Sequence, residues 1–252
     1  MVCRGTRGPA VLTFATLCSG MAFDFSELSL NLQRVHGRRI ALRPAALADA
    51  WPLFHATRNP LFNRHLLWPQ PDQAASVLER MDLIVKADSQ GHLSALSAVV
   101  KSTGEWIGLF RFQPYRQQSG TLEMGVWLHD KFWHGRYSLE IGRLCVDAAF
   151  ALSDVQALVG ASAPENRGSC ALMLAVGMAP TDLVMRDTET GTPVLLQEYG
   201  ITREQWARRG ASDSFEVYRG PGLPAVESDV AVTPTPSDAP APGHTAHCAA
   251  SR

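Results

Sequence analysis

Residues Thr121 to Ala163 read TLEMGVWLHDKFWHGRYSLEIGRLCVDAAFALSDVQALVGASA and contain the most informative pattern for the fold. The first ten residues alternate between apolar and other side chains, which predicts a β-strand with one face in the core; the core-facing residues would be Leu122, Met124, Val126 and Leu128. A helical stripe follows, formed by Ile141, Leu144, Cys145, Ala148 and Leu152. The run VQALVGASA then predicts a strand covered on both faces. We therefore expect a parallel strand, helix and strand unit, with a site at its carboxyl end.

The segment FWHGRYSLE, from Phe132 to Glu140, lies between the first strand and the helix. Backbone N–H groups and the helix dipole attract an anion at such a position. A turn that holds a diphosphate favours glycines, because a Cβ would block the close approach of the backbone. Here Gly135 is followed at once by Arg136, so the turn only partly matches an anion-binding loop.

In the segments before this unit, apolar residues also recur at the spacing of strands or helices. RRIALRP predicts a short strand, and residues 45–59 place Leu47, Ala50, Trp51 and Phe54 on one helical face. Residues 73–89 predict a second helix. HLSALSAVV and EWIGLFRFQPY predict two strands, and the short polar stretch around Gly104 between them indicates a β-hairpin.

Composition narrows the class of protein. The 252 residues are 46% hydrophobic, enough for one large core, and the formal charge is -1. The pI near 6.7 gives no basic field for a nucleic acid, so we expect no nucleic-acid partner. Five scattered cysteines without C-x-x-C spacing predict neither a disulfide framework nor a metal site. We expect a cytoplasmic protein with no membrane association.

The two ends of the chain differ from its middle. Residues 1–33 are predicted as a leader, which is either flexible or the product of a misassigned start codon; Met21 is the alternative start. The apolar run from Ala10 to Cys18 leaves an export signal as the other possibility. Residues 34–220 are predicted as one domain. Residues 221–252, rich in proline and alanine, are predicted as a disordered tail.

Several segments of the predicted domain, taken in order, resemble the GNAT superfamily of N-acyltransferases, and specifically its RimJ/RimL-like branch. They are ALRPAALADAWPLF, HLLWPQP, GEWIGLFRF, LEMGVWLHDKFW, ASAPENRGSCALMLAVGM and YGITREQW. The resemblance implies an α/β (α+β) fold with a central mixed, mostly antiparallel sheet that is splayed at the cofactor site and flanked by helices. It also implies acetyl-CoA (acyl-CoA) as co-substrate and a primary amine as acceptor, either a protein N-terminus or a small molecule.

The resemblance places the coenzyme A contacts on the strand end and the following loop. The implied cofactor-binding residues are Trp127, Leu128, Trp133, His134, Gly135, Arg136, Tyr137, Ser138 and Asn166. The family pattern has glycines where His134 and Arg136 stand, so this loop is degenerate. Arg136 could pair with a phosphate, both side chains could lie in solvent, or acyl-CoA binding could have been lost.

The resemblance also implies the catalytic roles. Ser169 matches a serine that protonates the leaving thiolate, since Met173 stands where many relatives have a tyrosine. Asn166 is also a helix N-cap candidate. Glu123, on the non-core face of its strand, is the candidate general base; it could instead bind a cationic substrate or pair with Arg111.

The remaining histidine, cysteine and charged residues near the predicted site have several possible roles. His129 and His134 are alternative bases, Cys145 and Cys170 are interpreted as core residues, and Glu140 is expected to complement the helix dipole. Arg64, His65, Arg111 and Arg116 could select an anionic acceptor. The competing function is a catalytically silent GNAT fold that binds or regulates a partner. Monomer and homodimer are both left open.

Overall fold

The computed structural model describes residues 23–115, 118–133, 136–209 and 215–217. In this part of the chain the helices are α1 Phe25–Leu32, α2 Ala50–Ala56, α3 Pro60–Asn63, α4 Ala74–Ser89, α5 Arg136–Ala151, α6 Arg167–Ala175 and α7 Arg203–Ala207. The strands are β1 Val35–His36, β2 Ile40–Pro44, β3 Ser94–Val100, β4 Trp106–Pro114, β5 Thr121–Leu128, β6 Ala157–Ser162, β7 Ala179–Asp187, β8 Pro193–Thr202 and β9 Glu216–Val217.

All the strands join one sheet in the order β7-β8-β6-β5-β4-β3-β2-β1-β9. Within the described ranges the pair β5 and β6 is parallel, and every other neighbouring pair is antiparallel. Helix α5 makes the crossover between the two parallel strands. The predicted fold class, a mixed and mostly antiparallel sheet flanked by helices, is confirmed.

The first hydrophobic core lies between one face of the sheet and helices α1 and α5. The residues of α5 that were predicted to face the core, from Ile141 to Ala148, are buried there against strand residues such as Phe110, Phe112 and Leu158. The α5 stripe therefore packs on the sheet as the helical period predicts.

The second core covers the opposite face of the sheet. Helices α2 and α4 bury Leu53, Val77, Met81 and Ile84 against β3 and β4. Because helices cover both faces at this point, all seven residues of β3 are buried. The predicted hairpin between β3 and β4 is confirmed, and Gly104 adopts a φ of 69° in its turn.

The folded unit begins earlier in the chain than the predicted start at residue 34. Residues 25–32 were expected in the leader, but they form α1, whose first turn is capped by Asp24. Phe25, Leu28 and Leu32 are buried in the first core. The boundary at residue 34 is therefore placed too late. Residues 1–22 and the predicted tail lie outside the described residues.

The first predicted helix has a different buried face from the one expected. Leu47 lies in a short 3-10 turn before α2, and it is 46% exposed, while Trp51 is 50% exposed. The buried residues of α2 are Ala50, Leu53 and Ala56. Since a 3-10 turn has three residues per turn, it shifts the helical phase, so the pattern counted from Leu47 is right for Ala50 and Phe54 but wrong for Leu47 and Trp51.

The described part of the chain contains neither a membrane-spanning helix nor a cluster of metal ligands. No helix in these ranges is long and apolar enough to cross a membrane. The same ranges contain no group of three or more histidine, cysteine or carboxylate side chains placed to hold a metal ion.

Candidate active site

A gap opens between the two parallel strands. The strands β5 and β6 pair at Thr121 with Ala157, at Leu122 with Leu158 and at Glu123 with Val159. Beyond that point β5 continues to Leu128 and β6 to Ser162 without pairing to each other. The sheet is therefore splayed at the carboxyl ends of its parallel strands, where ligands bind in such units.

Backbone donors of β5 line this gap. At the two ends of the β4–β5 ladder, Tyr115 N donates to Thr121 O at 3.0 Å and His129 N donates to Ile107 O at 2.9 Å. The register between these bonds is regular, so the odd-numbered residues of β5 direct their backbone groups toward β4. The N–H groups of Val126 and Leu128 consequently point toward the gap, while that of Trp127 points toward Leu109.

The loop after β5 is anchored on the end of that strand. Trp133 donates its indole Nε1–H to Leu128 O at 2.6 Å and stacks on Phe62 with an interplanar angle of 8°. Ser138 Oγ lies 3.4 Å from Trp133 O. These contacts hold the start of α5, which begins at Arg136, beside the gap. The loop residues His134 and Gly135 and the side chain of Arg136 lie outside the described part.

The first turns of α5 also contact the N-terminal part of the domain. Tyr137 packs edge-on to Phe132, with 5.3 Å between ring centroids, and Arg39 Cζ lies 4.7 Å from the Tyr137 ring centroid. Glu140 Oε1 accepts from Arg39 N at 2.7 Å, and Glu140 Oε2 accepts from Arg39 Nε at 2.8 Å. Glu140 therefore has a partner that was not expected from its position near a helix N-terminus.

The start of α6 lies on the other side of the gap. Asn166 Oδ1 accepts a hydrogen bond from Ser169 N at 3.2 Å, which confirms Asn166 as the N-cap. Ser169 is half-buried in the first turn of α6. Met173, one turn later, is buried, and its Sδ lies 3.2 Å from the position that a Cβ on Gly160 would take. The cap therefore fixes the backbone that carries Ser169.

The two candidate catalytic residues are carried by elements on opposite faces of the sheet. Helix α6 packs into the first core through Met173 and Val176. On β5 the even-numbered residues face that core, so Glu123, Gly125 and Trp127 face the other way. We call the latter side the Glu123 face. A molecule in the gap would have Ser169 on one side and Glu123 on the other.

Glu123 belongs to a hydrogen-bonded network. Its Oε1 pairs with Arg186 of β7, and its Oε2 accepts from Gln113 Nε2 at 3.0 Å. Arg186 Nη2 also lies 3.6 Å from Glu198 Oε2. Tyr115 donates its hydroxyl to Glu198, with oxygen separations of 2.9 and 3.0 Å. The expected alternative partner of Glu123 was Arg111, but the ion pair is made with Arg186.

Tyr115 is held protonated by this network. Burial, the hydrogen bond to Glu198 and the charge of that carboxylate raise the pKa of Tyr115 to about 12. The phenol therefore stays a donor near neutral pH, and it helps to satisfy the buried Glu198 carboxylate.

Aromatic and charged side chains line the space beside this network. The ring of Trp68 is 5.6 Å from that of Trp127, and Arg80 Cζ lies 4.3 Å from the Trp68 ring centroid. Arg80 also donates to both oxygens of Glu189, at 2.7 and 2.6 Å. A cavity of about 330 Å³ adjoins Trp68, and its lining residues include Pro69, Gln70 and Arg80.

The histidine and cysteine side chains have other environments. His129 Nδ1 lies 2.7 Å from Asp130 Oδ1 at the start of a 3-10 turn. Cys145 is fully buried, and burial raises the pKa of its thiol. Cys170 is half-buried, with its Sγ 3.7 Å from Ala163 O. These positions agree with a packing role for both cysteines.

Comparison with known proteins identifies the family. Residues 39–179, more than half of the chain, match the acetyltransferase (GNAT) domain model. The chain belongs to the GNAT acetyltransferase family. A curated relative of this GNAT protein, the uncharacterized N-acetyltransferase p20 of Bacillus licheniformis, is 23% identical over 168 residues, which cover 67% of this chain and 94% of the relative.

Solved GNAT structures share the fold. An acetyltransferase of the GNAT family from Bacillus anthracis has a TM-score of 0.58 at 14% identity, covering 68% of this chain and 98% of that one. The Mycobacterium smegmatis RimJ in complex with CoA-disulfide has a TM-score of 0.59 at 16% identity, with coverages of 71% and 90%. This GNAT protein is therefore an acetyltransferase, and acetyl-CoA is the acyl donor that its family uses.

The GNAT site brings together residues that the sequence separates. The sequence predicts Glu123, Ser169 and Asn166 as site candidates, but it gives no sign that Arg186, Glu198 and Tyr115 form a network with Glu123. Arg186 is 63 positions from Glu123. No spacing rule connects the two, because their contact depends on the pairing of β7 with β8 and of β8 with β6.

Proposed function

We propose that this acetyltransferase moves the acetyl group of acetyl-CoA to a primary amine in one step, inside the gap between β5 and β6. The observation that carries the proposal is the end of β5–β6 pairing at Glu123 and Val159, which leaves the N–H of Leu128 directed into the gap. In this reaction the amine nitrogen bonds to the thioester carbon and the carbon–sulfur bond breaks. One proton leaves the amine and one reaches the thiolate.

Leu128 is the proposed donor to the thioester carbonyl. Negative charge develops on this oxygen as the amine attacks, and a fixed backbone N–H stabilises it without reorganisation. The carbonyl of Leu128 accepts a hydrogen bond from the indole of Trp133, which fixes the orientation of the end of β5. Trp127 contributes on the Glu123 face through its side chain, since its backbone N–H points toward β4.

Ser169 is the proposed proton donor to the leaving thiolate. It lies at the start of α6, where the helix dipole also stabilises a developing negative charge. Asn166 holds this turn through the N–H of Ser169 and lies at the edge of the path for the pantetheine arm.

Glu123 is the proposed acceptor of the amine proton, through a water molecule. Among the described residues its two carboxylate oxygens have one partner each, Arg186 and Gln113, which leaves lone pairs for water. The amine would therefore approach from the Glu123 face, while the thiolate departs on the face of α6.

The variant Glu123→Gln tests this role. Arg186 keeps Glu198 as a partner, so we expect the variant to fold. At neutral pH kcat should fall about tenfold, a modest loss for a general base because the amine can also deprotonate in solution. The loss should shrink as the pH rises. A rise in KM with unchanged kcat would contradict the role and indicate that Glu123 binds the ammonium group. Glu204→Gln, at an exposed pair with Arg208, is the matched control.

The start of α5 is the proposed site of the coenzyme A diphosphate, and Arg136 is its proposed partner in place of a family glycine. Acetyl-CoA at millimolar concentration should raise the Tm of the native protein, because a ligand that binds only the folded state stabilises it. The rise should be smaller for Arg136→Gly. An equal or larger rise in that variant would show that the arginine does not bind the diphosphate, and no rise in either protein would overturn the donor site.

The acceptor class in this proposal is a primary amine of a protein N-terminus or of a small molecule, as in the RimJ/RimL-like branch. The aromatic side chains Trp68 and Trp127 and the network on the Glu123 face support an acceptor that enters from this side. A mass shift of 42 Da on the acceptor, with an equal amount of free coenzyme A thiol, would establish the transfer.

A further inference from the structure

Arg111 lies on β4, directly opposite Gly125 of β5, and therefore on the Glu123 face. A Cβ placed on Gly125 would be 3.9 Å from both Nε and Nη2 of Arg111. The guanidinium group thus extends across the backbone of Gly125. Glu123 is the last residue of β5 that pairs with β6, and Gly125 lies two residues beyond it. Arg111 therefore borders the proposed reaction site.

Arg111 differs from the two other arginines near it. Arg186 pairs with Glu123, and Arg80 pairs with Glu189. Within the residues that the structure describes, Arg111 makes no hydrogen bond or ion pair, although its guanidinium has five N–H donors. Burial lowers the pKa of Arg111, and the charge of Glu123 partly offsets this effect. Arg111 is half-buried, and its guanidinium N–H groups can donate to a ligand that binds across Gly125.

The charges on this face suit a molecule that carries both signs. The three arginines are balanced by Glu123, Glu189 and Glu198. Glu123 stands two residues before Gly125 on the same strand face, a spacing of about 7 Å. The carboxylate of Glu123 and the guanidinium of Arg111 therefore lie on either side of Gly125, which has no side chain. An ammonium group fits beside Glu123, and a carboxylate or phosphate fits the fork of Arg111.

We propose that the acceptor amine also carries a carboxylate or phosphate group a few bonds away, which Arg111 binds across Gly125. The proposal rests on the proposed transfer to an amine, and it specifies the substrate class. Both a free amino acid and a peptide with an acidic first residue present this chemistry.

The test measures free coenzyme A thiol with matched acceptors. The small-molecule pairs are free amino acids against their α-amides, and phosphoethanolamine against ethanolamine. The peptide pairs are amidated tripeptides that begin with Asp or Glu against those that begin with Asn or Gln. We expect the native protein to prefer the anionic member of one set by about 10- to 100-fold in kcat/KM, as for a charge-assisted bond. The preferred set identifies the source of the anion.

The variant Arg111→Met has a similar length and no charge. It should lose the preference for the anionic member, with little change on the neutral one. Its Tm should change little, because the half-buried guanidinium makes no ion pair with the described residues that the substitution would break. Arg208→Met, at a side chain that is 74% exposed, controls for the loss of one positive charge.

Three results would overturn the proposal. Equal use of acids and amides by the native protein is the first, and an equal loss on both by Arg111→Met is the second. A Tm fall of more than about 5 °C in that variant is the third, since it would make Arg111 a structural counter-charge of Glu123.

A binding measurement separates this proposal from the proposed activity. The Tm of the native protein and of Arg111→Met is recorded with each acid and each amide at about 10 mM, without acetyl-CoA. If no acceptor releases coenzyme A and acetyl-CoA does not raise the Tm, the acetyl transfer is contradicted. A Tm rise with the acids that is lost in Arg111→Met would still support the anion site. If the acids raise the Tm of neither protein, the anion site is rejected.

Discussion

Ser169→Ala should lower kcat for acetyl transfer by about 100-fold or more, because the leaving thiolate would lose its proton donor. The methyl side chain leaves the backbone N–H of residue 169 free to donate to Asn166 Oδ1, so α6 keeps its cap. We therefore expect the same Tm and the same Tm rise with acetyl-CoA as in the native protein. Steady-state release of coenzyme A thiol, followed against pH, is the measurement.

Two features distinguish a proton donor from a structural serine. The loss should be greatest in kcat, and it should be smaller for an acyl donor whose thiol has a lower pKa, since such a thiolate leaves without protonation. Ser153→Ala removes a hydroxyl that donates to Ala149 O at 2.6 Å, at the far end of α5, and serves as the control. A loss of less than threefold in Ser169→Ala would remove this serine from the mechanism.

Gly108→Ala should lower the free energy of unfolding by about 3 kcal/mol or more. A Cβ at residue 108 would lie 2.2 Å from Trp127 O and 2.8 Å from Leu128 Cδ2. The nearest atom belongs to the backbone of β5, so the clash can be relieved only by moving the strand that borders the gap. The Tm should fall by several degrees, and the Tm rise with acetyl-CoA should shrink as well.

Gly200→Ala is the matched control for this substitution. Gly200 also lies in the sheet, but the nearest atom to a Cβ there is Thr181 Cγ2 at 3.4 Å, an ordinary contact. Its Tm should change little. If both alanine variants had the same Tm, the close approach of β4 to the end of β5 would not be a constraint on the fold.

Much of the fold could be predicted because its signals are local. Helix α5 has a repeating apolar stripe, β6 is a short apolar run, and the strands β3 and β4 flank a turn with a glycine. Helix α1 escaped prediction because its short apolar pattern adjoins a terminal segment that resembles a leader. Strand β7 carries the exposed Leu183 and Met185 and has no buried residue, so no core-facing pattern marked it in the sequence.

Local sequence signals were enough to predict the parallel unit, the loop before α5, the cap at Asn166 and the elements that carry Ser169 and Glu123. These features depend on residues close in the chain, whose periods and capping preferences act locally. Only the tertiary structure decided that Arg186 pairs with Glu123 and that Arg111 lies unpaired across Gly125. Such partners are set by which strands become neighbours and by the point at which β5 and β6 separate, and burial then decides which charges lack a partner.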